Sequence, residues 1–246
     1  MVKAVLLDLD GTLLDINMDY FIPYYLKSLG SKAQAAGLGE AQSFVQRVLE
    51  ATDAMIHDLN PDLTNEDAFK QKFFRDELYD QERALGFFDH FYTREFAHLA
   101  GYCQPFAAAR GIVEQVFSLG MPVVIATNAV FPVAAIEERL RWAHVADFPY
   151  AFLTHYRNMH FCKPYPEYYL EIAAKLKVAP EECLMIGNDV EEDLVAGTVG
   201  MQTFLLEELV LNRNSSSLLP DFQGKFPELS QFLATQIGRA SCRERV

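Results

Sequence analysis

Apolar runs of strand length recur through this chain, but not in the long stretch that follows its first fourteen residues. Residues 2–9 form a Val- and Leu-rich run broken only by Lys3 and Asp8, the pattern of a strand buried on both faces in a parallel sheet. Similar runs occupy residues 121–126, 151–153, 183–186 and 202–206. Helix-patterned segments at 107–119, 132–142 and 167–176 separate most of them. In the second, Pro132 suits a first helical turn, and Val133, Ile136 and Leu140 fall on one face. Alternating strands and helices predict an α/β fold: an open, doubly wound parallel sheet of Rossmann-like type.

From Asp15 to about Pro105 the texture changes to long stretches with apolar residues three and four apart and no convincing strand. This predicts an inserted α-helical unit over 15–105, with a discontinuous core of 1–14 and 106–235. Phe69, Phe73, Phe74, Phe87, Phe88, Phe91, Tyr92 and Phe96 suggest either an aromatic ligand pocket or, for most of them, the small unit's own core, which is the preferred reading. Asn60, Pro61 and Asp62 mark a turn inside the insertion, and 101–105 an exit linker. No internal repeat is present, and 214–217 is a short polar loop.

Composition narrows the classes. With 246 residues and 50% hydrophobic content, the chain can bury one large domain, or a core plus a modest second unit. A net charge of -13 repels polyanions, and no Lys/Arg run offers a local footprint, so neither nucleic acid nor anionic membrane is expected as a partner. No apolar run approaches the roughly 20 residues of a spanning helix. Cys103, Cys162 and Cys183 show no zinc-like spacing, which fits a reduced, cytoplasmic setting. The last ten residues, Ile237 to Val246 (IGRASCRERV), match one reading frame of a common short-read sequencing adapter, whose preceding bases also supply Gln236. Residues 236–246 are therefore read as foreign and excluded from fold reasoning, and Cys242 leaves the cysteine count.

Ligands of open α/β sheets bind beyond the carboxyl ends of the strands, so the polar residues following each run carry the chemistry. The first run leads into Asp8-Leu9-Asp10-Gly11-Thr12, the second into Thr127-Asn128, the third toward Lys163-Pro164, and the fourth into Gly187-Asn188-Asp189 with Asp193 four residues on. Carboxylates at i and i+2 of an extended segment share a side, so Asp8 and Asp10 are expected to face one site. Their repulsion is relieved by a hard divalent cation, with Asp189 the candidate third acid. Thr127 can donate to a phosphoryl oxygen and Lys163 can counter its charge. Gly11 permits a sharp turn that frees backbone amides for a phosphate. Each motif alone has a plainer explanation, as a turn, a helix cap or a solvated charge; their ordered conjunction is far more specific.

These ordered DLDGT, TN, KP and GNDxxxD motifs resemble the haloacid dehalogenase superfamily over residues 1–14 and 106–206, and the helical insertion looks like that superfamily's first-position α-helical cap. The resemblance implies a magnesium-dependent phosphatase. Asp8 would be the nucleophile forming an aspartyl-phosphate, and Asp10 the general acid and then base. Thr127 and Lys163, with Gly11 and Asn128, would bind phosphate. Magnesium would be held by Asp8, the Asp10 carbonyl and the fourth motif. There this chain departs from the usual pattern, because Asn188 directly follows the glycine. Counting forward from Gly187 selects Asn188, whereas counting back from Asp193 selects Asp189, which is preferred on charge; Asp193 is a further candidate.

A small phosphorylated metabolite is the expected substrate. A dehalogenase of the superfamily would lack the acid at Asp10. A sugar phosphomutase uses the same core motifs, and a non-catalytic binding module is the alternative of another class. Asp15, Asn17, Asp19 and Tyr20 after the first motif, and Tyr156, Arg157 and His160 before Lys163, are within reach of a specificity role, with Arg157 the best guess for a second anionic group.

Overall fold

A computed structural model of the protein describes residues 1–76 and 78–237. Of the segment 236–246 read as foreign, residues 238–246 lie outside the described residues. Ile237 closes the last helical turn and is buried.

The chain opens with β1 (Ala4–Leu7), followed by β2 (Leu14–Ile16) and the helices α1 (Met18–Ala35), α2 (Ala41–Ile56), α3 (Asn65–Phe73) and α4 (Gln81–His90). A π turn and a 3-10 segment then lead to β3 (Cys103–Pro105). Strands and helices alternate thereafter: α5 (Ala109–Ser118), β4 (Val123–Ile125), α6 (Val133–Trp142), β5 (Phe152–Leu153), α7 (Pro166–Leu176), β6 (Cys183–Gly187), β7 (Gln202–Leu206), β8 (Phe222–Gly224) and α8 (Phe226–Phe232). Six strands form one sheet in the order β5-β4-β1-β6-β7-β8, every pairing parallel. The predicted doubly wound α/β core is present. All four residues of β1 are buried, as both-face coverage requires. Among the described residues, no helix is long and apolar enough to cross a membrane.

The insertion is helical as expected, but its ends are not plain linkers. β2 and β3 pair antiparallel, Asp15 opposite Gln104, so the chain leaves and re-enters the core through one ribbon. At three residues each, these strands are too short for a period-2 pattern to stand out. The aromatic residues divide between two roles. Phe44 gathers Phe73, Tyr79, Phe87 and Phe88 at centroid distances of 5.4–5.6 Å, the small unit's own core. Phe96 instead stacks on Trp142 of α6 at 5.3 Å, and Phe21 meets the same ring edge-on, joining insertion to core.

A second junction forms at the start of α3. The first amides of a helix lack intrahelical partners. Here Asn65 N donates to Met159 O (2.9 Å) and Glu66 N to Tyr156 O (2.8 Å), both on the core loop after β5. The buried Asn65 side chain adds bonds from its Nδ2 to Ala129 O (3.1 Å) and Phe161 O (3.2 Å). The insertion is thereby docked onto the loops that follow β4 and β5.

Candidate active site

Beyond β1 the chain curls on a single acceptor. The Leu9 carbonyl receives the amides of Thr12, Leu13 and Leu14 at 3.3, 2.9 and 3.0 Å. Gly11 sits at φ +84, and a Cβ there would lie 2.4 Å from Asn188 Nδ2, so both backbone and space demand glycine. The Gly11 amide itself donates to Leu14 O at 2.8 Å. Among the described residues it is the amides of Leu9 and Asp10 that have no partner, one and two positions past Asp8.

Asp8 and Asp10 line one cavity of about 240 Å³ together with Thr127, Asn128, Asn188, Asp189 and Asp193. Asp8 Oδ1 accepts from Lys163 Nζ at 2.8 Å, and Oδ2 lies 3.1 Å from the Thr12 hydroxyl. Lys163 is 1% exposed and also donates to Asp193 Oδ1 at 2.6 Å. Burial opposes its charge, but the Asp193 and Asp8 carboxylates hold its pKa well above the ordinary value. Asp193 is fixed in turn by the Asp189 amide at 2.9 Å. Thr127 presents a hydroxyl with no partner among the described residues, while its carbonyl is held by Thr154 Oγ and Tyr168 OH, both at 2.7 Å. Asn128 lines the cavity and also contacts the chain at Lys163. Its side-chain amide brackets the Lys163 backbone, Oδ1 accepting from Lys163 N at 3.2 Å and Nδ2 reaching Lys163 O at 3.3 Å, which fixes the lysine strap at the cavity wall.

Asp10 forms a buried ion pair with Arg139 of α6, which nothing in the motif pattern announced. Arg139 is 1% exposed and also lies over the Phe131 ring, its guanidinium carbon 4.7 Å from the centroid. A signal was available: Arg139 falls three residues after Ile136 on the otherwise apolar face of α6. Asp10 Oδ1 and Arg139 Nη2 remain buried without partners. Burial raises the Asp10 pKa above its usual value, against the opposing pull of Arg139.

In the fourth motif the geometry runs against the charge argument for Asp189. Asn188 Oδ1 stands 2.9 Å from the same Thr12 hydroxyl that meets Asp8, with one proton to share between them. The Asp189 carboxylate turns elsewhere, accepting from the amides of Glu191 (2.9 Å) and Glu192 (3.0 Å) and pairing with Arg213 Nη1 at 2.6 Å. Five acids line the cavity, Asp8, Asp10, Asp189, Glu192 and Asp193, against Arg139, Arg213 and the adjoining Lys163. An anionic excess, hard oxygen donors and an orphan carboxylate oxygen on Asp10 fit a divalent cation such as magnesium. Among the described residues no three acidic, histidine or cysteine side chains already converge as a metal cluster.

The remaining candidates take structural positions. Asp15 accepts from Gln104 in the ribbon (2.9 Å), Asn17 caps α1 through the Asp19 amide (3.0 Å), and Tyr20 is exposed. Arg157 is bound to both carboxylate oxygens of Glu66, and His160 to Glu171, so neither reaches toward Asp8.

Comparison with known proteins follows the same lines. A family model described as haloacid dehalogenase-like hydrolase matches residues 2–199. Among solved structures, a HAD phosphatase from Thermococcus onnurineus is 22% identical, with TM-score 0.56, over 94% of this chain and 98% of that one. The L-2-haloacid dehalogenase from Xanthobacter autotrophicus is 15% identical, with TM-score 0.55, over 96% and 99%. The putative HAD-hydrolase YfnB from Bacillus subtilis, bound to magnesium, is 16% identical, with TM-score 0.53, over 94% and 98%. No curated protein sequence matches. The structural likenesses concern the fold, and the family match over most of the chain gives the assignment: this protein belongs to the haloacid dehalogenase-like hydrolases.

Proposed function

We propose that the protein is a magnesium-dependent phosphatase acting on a small phosphorylated metabolite through an aspartyl-phosphate on Asp8. The observation that carries this reading is the pair Asp8 and Asp10 lining one cavity, the first held by Lys163 and the second buried with a raised pKa. A dehalogenase needs no proton donor for its leaving halide; a phosphate ester does, and Asp10 is suited to supply it.

Asp8 is oriented by Lys163 and Thr12, so one carboxylate oxygen can attack phosphorus as the ester P–O bond breaks. Asp10 gives its proton to the departing oxygen. It then takes a proton from water, whose oxygen attacks phosphorus; the P–O bond to Asp8 breaks, leaving Asp8 as the carboxylate and Asp10 again as the protonated acid. The Thr127 hydroxyl, the Lys163 ammonium and the free amides of Leu9 and Asp10 are available to the phosphoryl oxygens. Magnesium would be held by Asp8, the Asp10 carbonyl and the Asn188–Asp189 pair, Asn188 through its amide oxygen, which shares the Thr12 hydroxyl with Asp8. Bound there, it would neutralise phosphoryl charge that otherwise repels the nucleophile.

A panel of phosphorylated metabolites, assayed for phosphate release with magnesium and with excess chelator, tests the reading. Release that requires magnesium supports it. No release from any member, together with no magnesium-dependent binding of a phosphate mimic, would favour a binding module.

A further inference from the structure

A second cavity, of about 280 Å³, lies between the insertion and the core. Ile22, Val130 and Phe131 line both it and the Asp8 cavity, so the two adjoin across these three side chains. A group bonded to a phosphoryl at Asp8 therefore has this neighbouring space beside it.

The walls of that space define what it accepts. Leu26, Val48, Phe69, Leu85 and Phe88 make it largely apolar. Its charged members cancel. Glu66 binds Arg157 through both oxygens, at 3.2 and 3.1 Å, and Lys70 at 3.1 Å, and Asp89 adds a further negative charge. Neither cation is left without a carboxylate partner for a second phosphate or a carboxylate on the ligand. One polar feature does point at a ligand. The hydroxyls of Tyr25 and Tyr92, 2.6 Å apart, carry two protons for one mutual bond, and among the described residues neither has another partner. One O–H donor is thus left over on a half-buried pair that lines the cavity, available to a ligand's acceptor. In size, an apolar cavity of roughly 150 Å³ holds benzene, so this one suits one or two rings.

We propose that this cavity holds the leaving group of the substrate, and that the leaving group is a ring or branched hydrocarbon bearing one hydrogen-bond acceptor for the Tyr25–Tyr92 pair. A second phosphate is disfavoured, because Lys70 and Arg157 are already paired with Glu66 and Asp89 adds negative charge, and a polyhydroxylated sugar would find, beyond the tyrosine pair, only Thr52, Thr93 and Asp89 among otherwise apolar or ion-paired walls. The inference rests on the proposed phosphatase reading for its link to chemistry, but the cavity's preference is measurable without turnover.

Calorimetric titration with 4-hydroxyacetophenone, a ring with one carbonyl acceptor, reads the cavity directly. One saturable site is expected. Its Kd should rise by about tenfold in Leu85→Trp, which fills the space, and by a similar factor in Tyr25→Phe/Tyr92→Phe, which keeps the shape and removes the donor. Leu85→Phe serves if Leu85→Trp fails to fold. No binding to the parent protein, or binding unchanged in the filled variants, overturns the proposal. In kinetics with magnesium, 4-acetylbenzyl phosphate, whose leaving group is a primary alcohol as in glucose 6-phosphate, should exceed glucose 6-phosphate in kcat/KM by roughly tenfold or more. Preference for the sugar phosphate overturns the proposal while leaving the phosphatase reading intact. Binding of the phenol without phosphate release from any ester, acetyl phosphate included, upholds the cavity and sinks the phosphatase reading.

Discussion

The Asp10 carboxylate and the Arg139 guanidinium meet as a buried ion pair between the end of β1 and the middle of α6. Arg139 keeps Asp10 in one orientation and offsets part of the burial that raises its pKa. Acting through its contact with Asp10, it is a positioning residue.

Arg139→Ala should lower kcat by roughly 100-fold with little change in KM, because general acid–base catalysis contributes about 10²–10⁴. It also leaves a buried carboxylate unpaired, at about 3–5 kcal/mol of stability. With 4-nitrophenyl phosphate, whose leaving group needs little protonation, the kinetic loss should shrink. An equal loss on esters of good and poor leaving groups would show that Arg139 supports only the fold.

The fourth motif allows a direct comparison of neighbours. Asn188→Ala should weaken magnesium binding more than Asp189→Ala, since the Asn188 oxygen shares the Thr12 hydroxyl with Asp8 and Asp189 is paired with Arg213. Titration calorimetry with magnesium chloride on both variants reads this, and the reverse order would restore Asp189 as the ligand.

Glu192 lines the catalytic cavity, where burial raises its pKa from the usual 4.5 to about 6. A raised carboxyl binds its proton more tightly in the folded state. The associated stability is therefore present below pH 4.5 and lost as pH rises through about 6, leaving a cost of about 2 kcal/mol at neutral pH. Glu192→Gln should raise Tm at pH 7.5 and leave it nearly unchanged at pH 4.5. A stabilisation of the same size at both pH values would refute the titration account.

Asn65 holds the insertion onto the core through Ala129 O and Phe161 O. Asn65→Leu leaves these carbonyls without that donor, at roughly 1–3 kcal/mol. Hydrogen exchange should accelerate at the start of α3, at the amides of Asn65 and Glu66, and leave β1, β4 and β6 protected. Uniform acceleration across the core strands would mean that the contact stabilises the whole molecule and is not a local latch.

Much of this arrangement was legible in the residues. The buried runs ending in Asp8, Thr127 and Gly187 become β1, β4 and β6, neighbours in the sheet, because parallel strands covered on both faces leave a continuous apolar signature. What was missed had no such signature. β8 is a three-residue edge strand with an exposed Phe222, and the β2–β3 ribbon is equally short. Pro132 caps α6 from just outside instead of opening its first turn. Arg139 and the Tyr25–Tyr92 pair join residues 129 and 67 positions apart, contacts that only the tertiary fold creates. The register of Asn188 and Asp189 hinged on a hydroxyl from Thr12, 176 residues away from Asn188.

The central claim is that Asp8 carries the phosphoryl group during turnover. In Asp10→Asn, where release to water should be slowed, mixing with substrate and magnesium, quenching in acid and mapping peptides by mass spectrometry should find one phosphoryl group on Asp8, and none in Asp8→Asn. Undiminished phosphate release by Asp8→Asn, with no phosphoryl group on the parent peptide, would contradict the account.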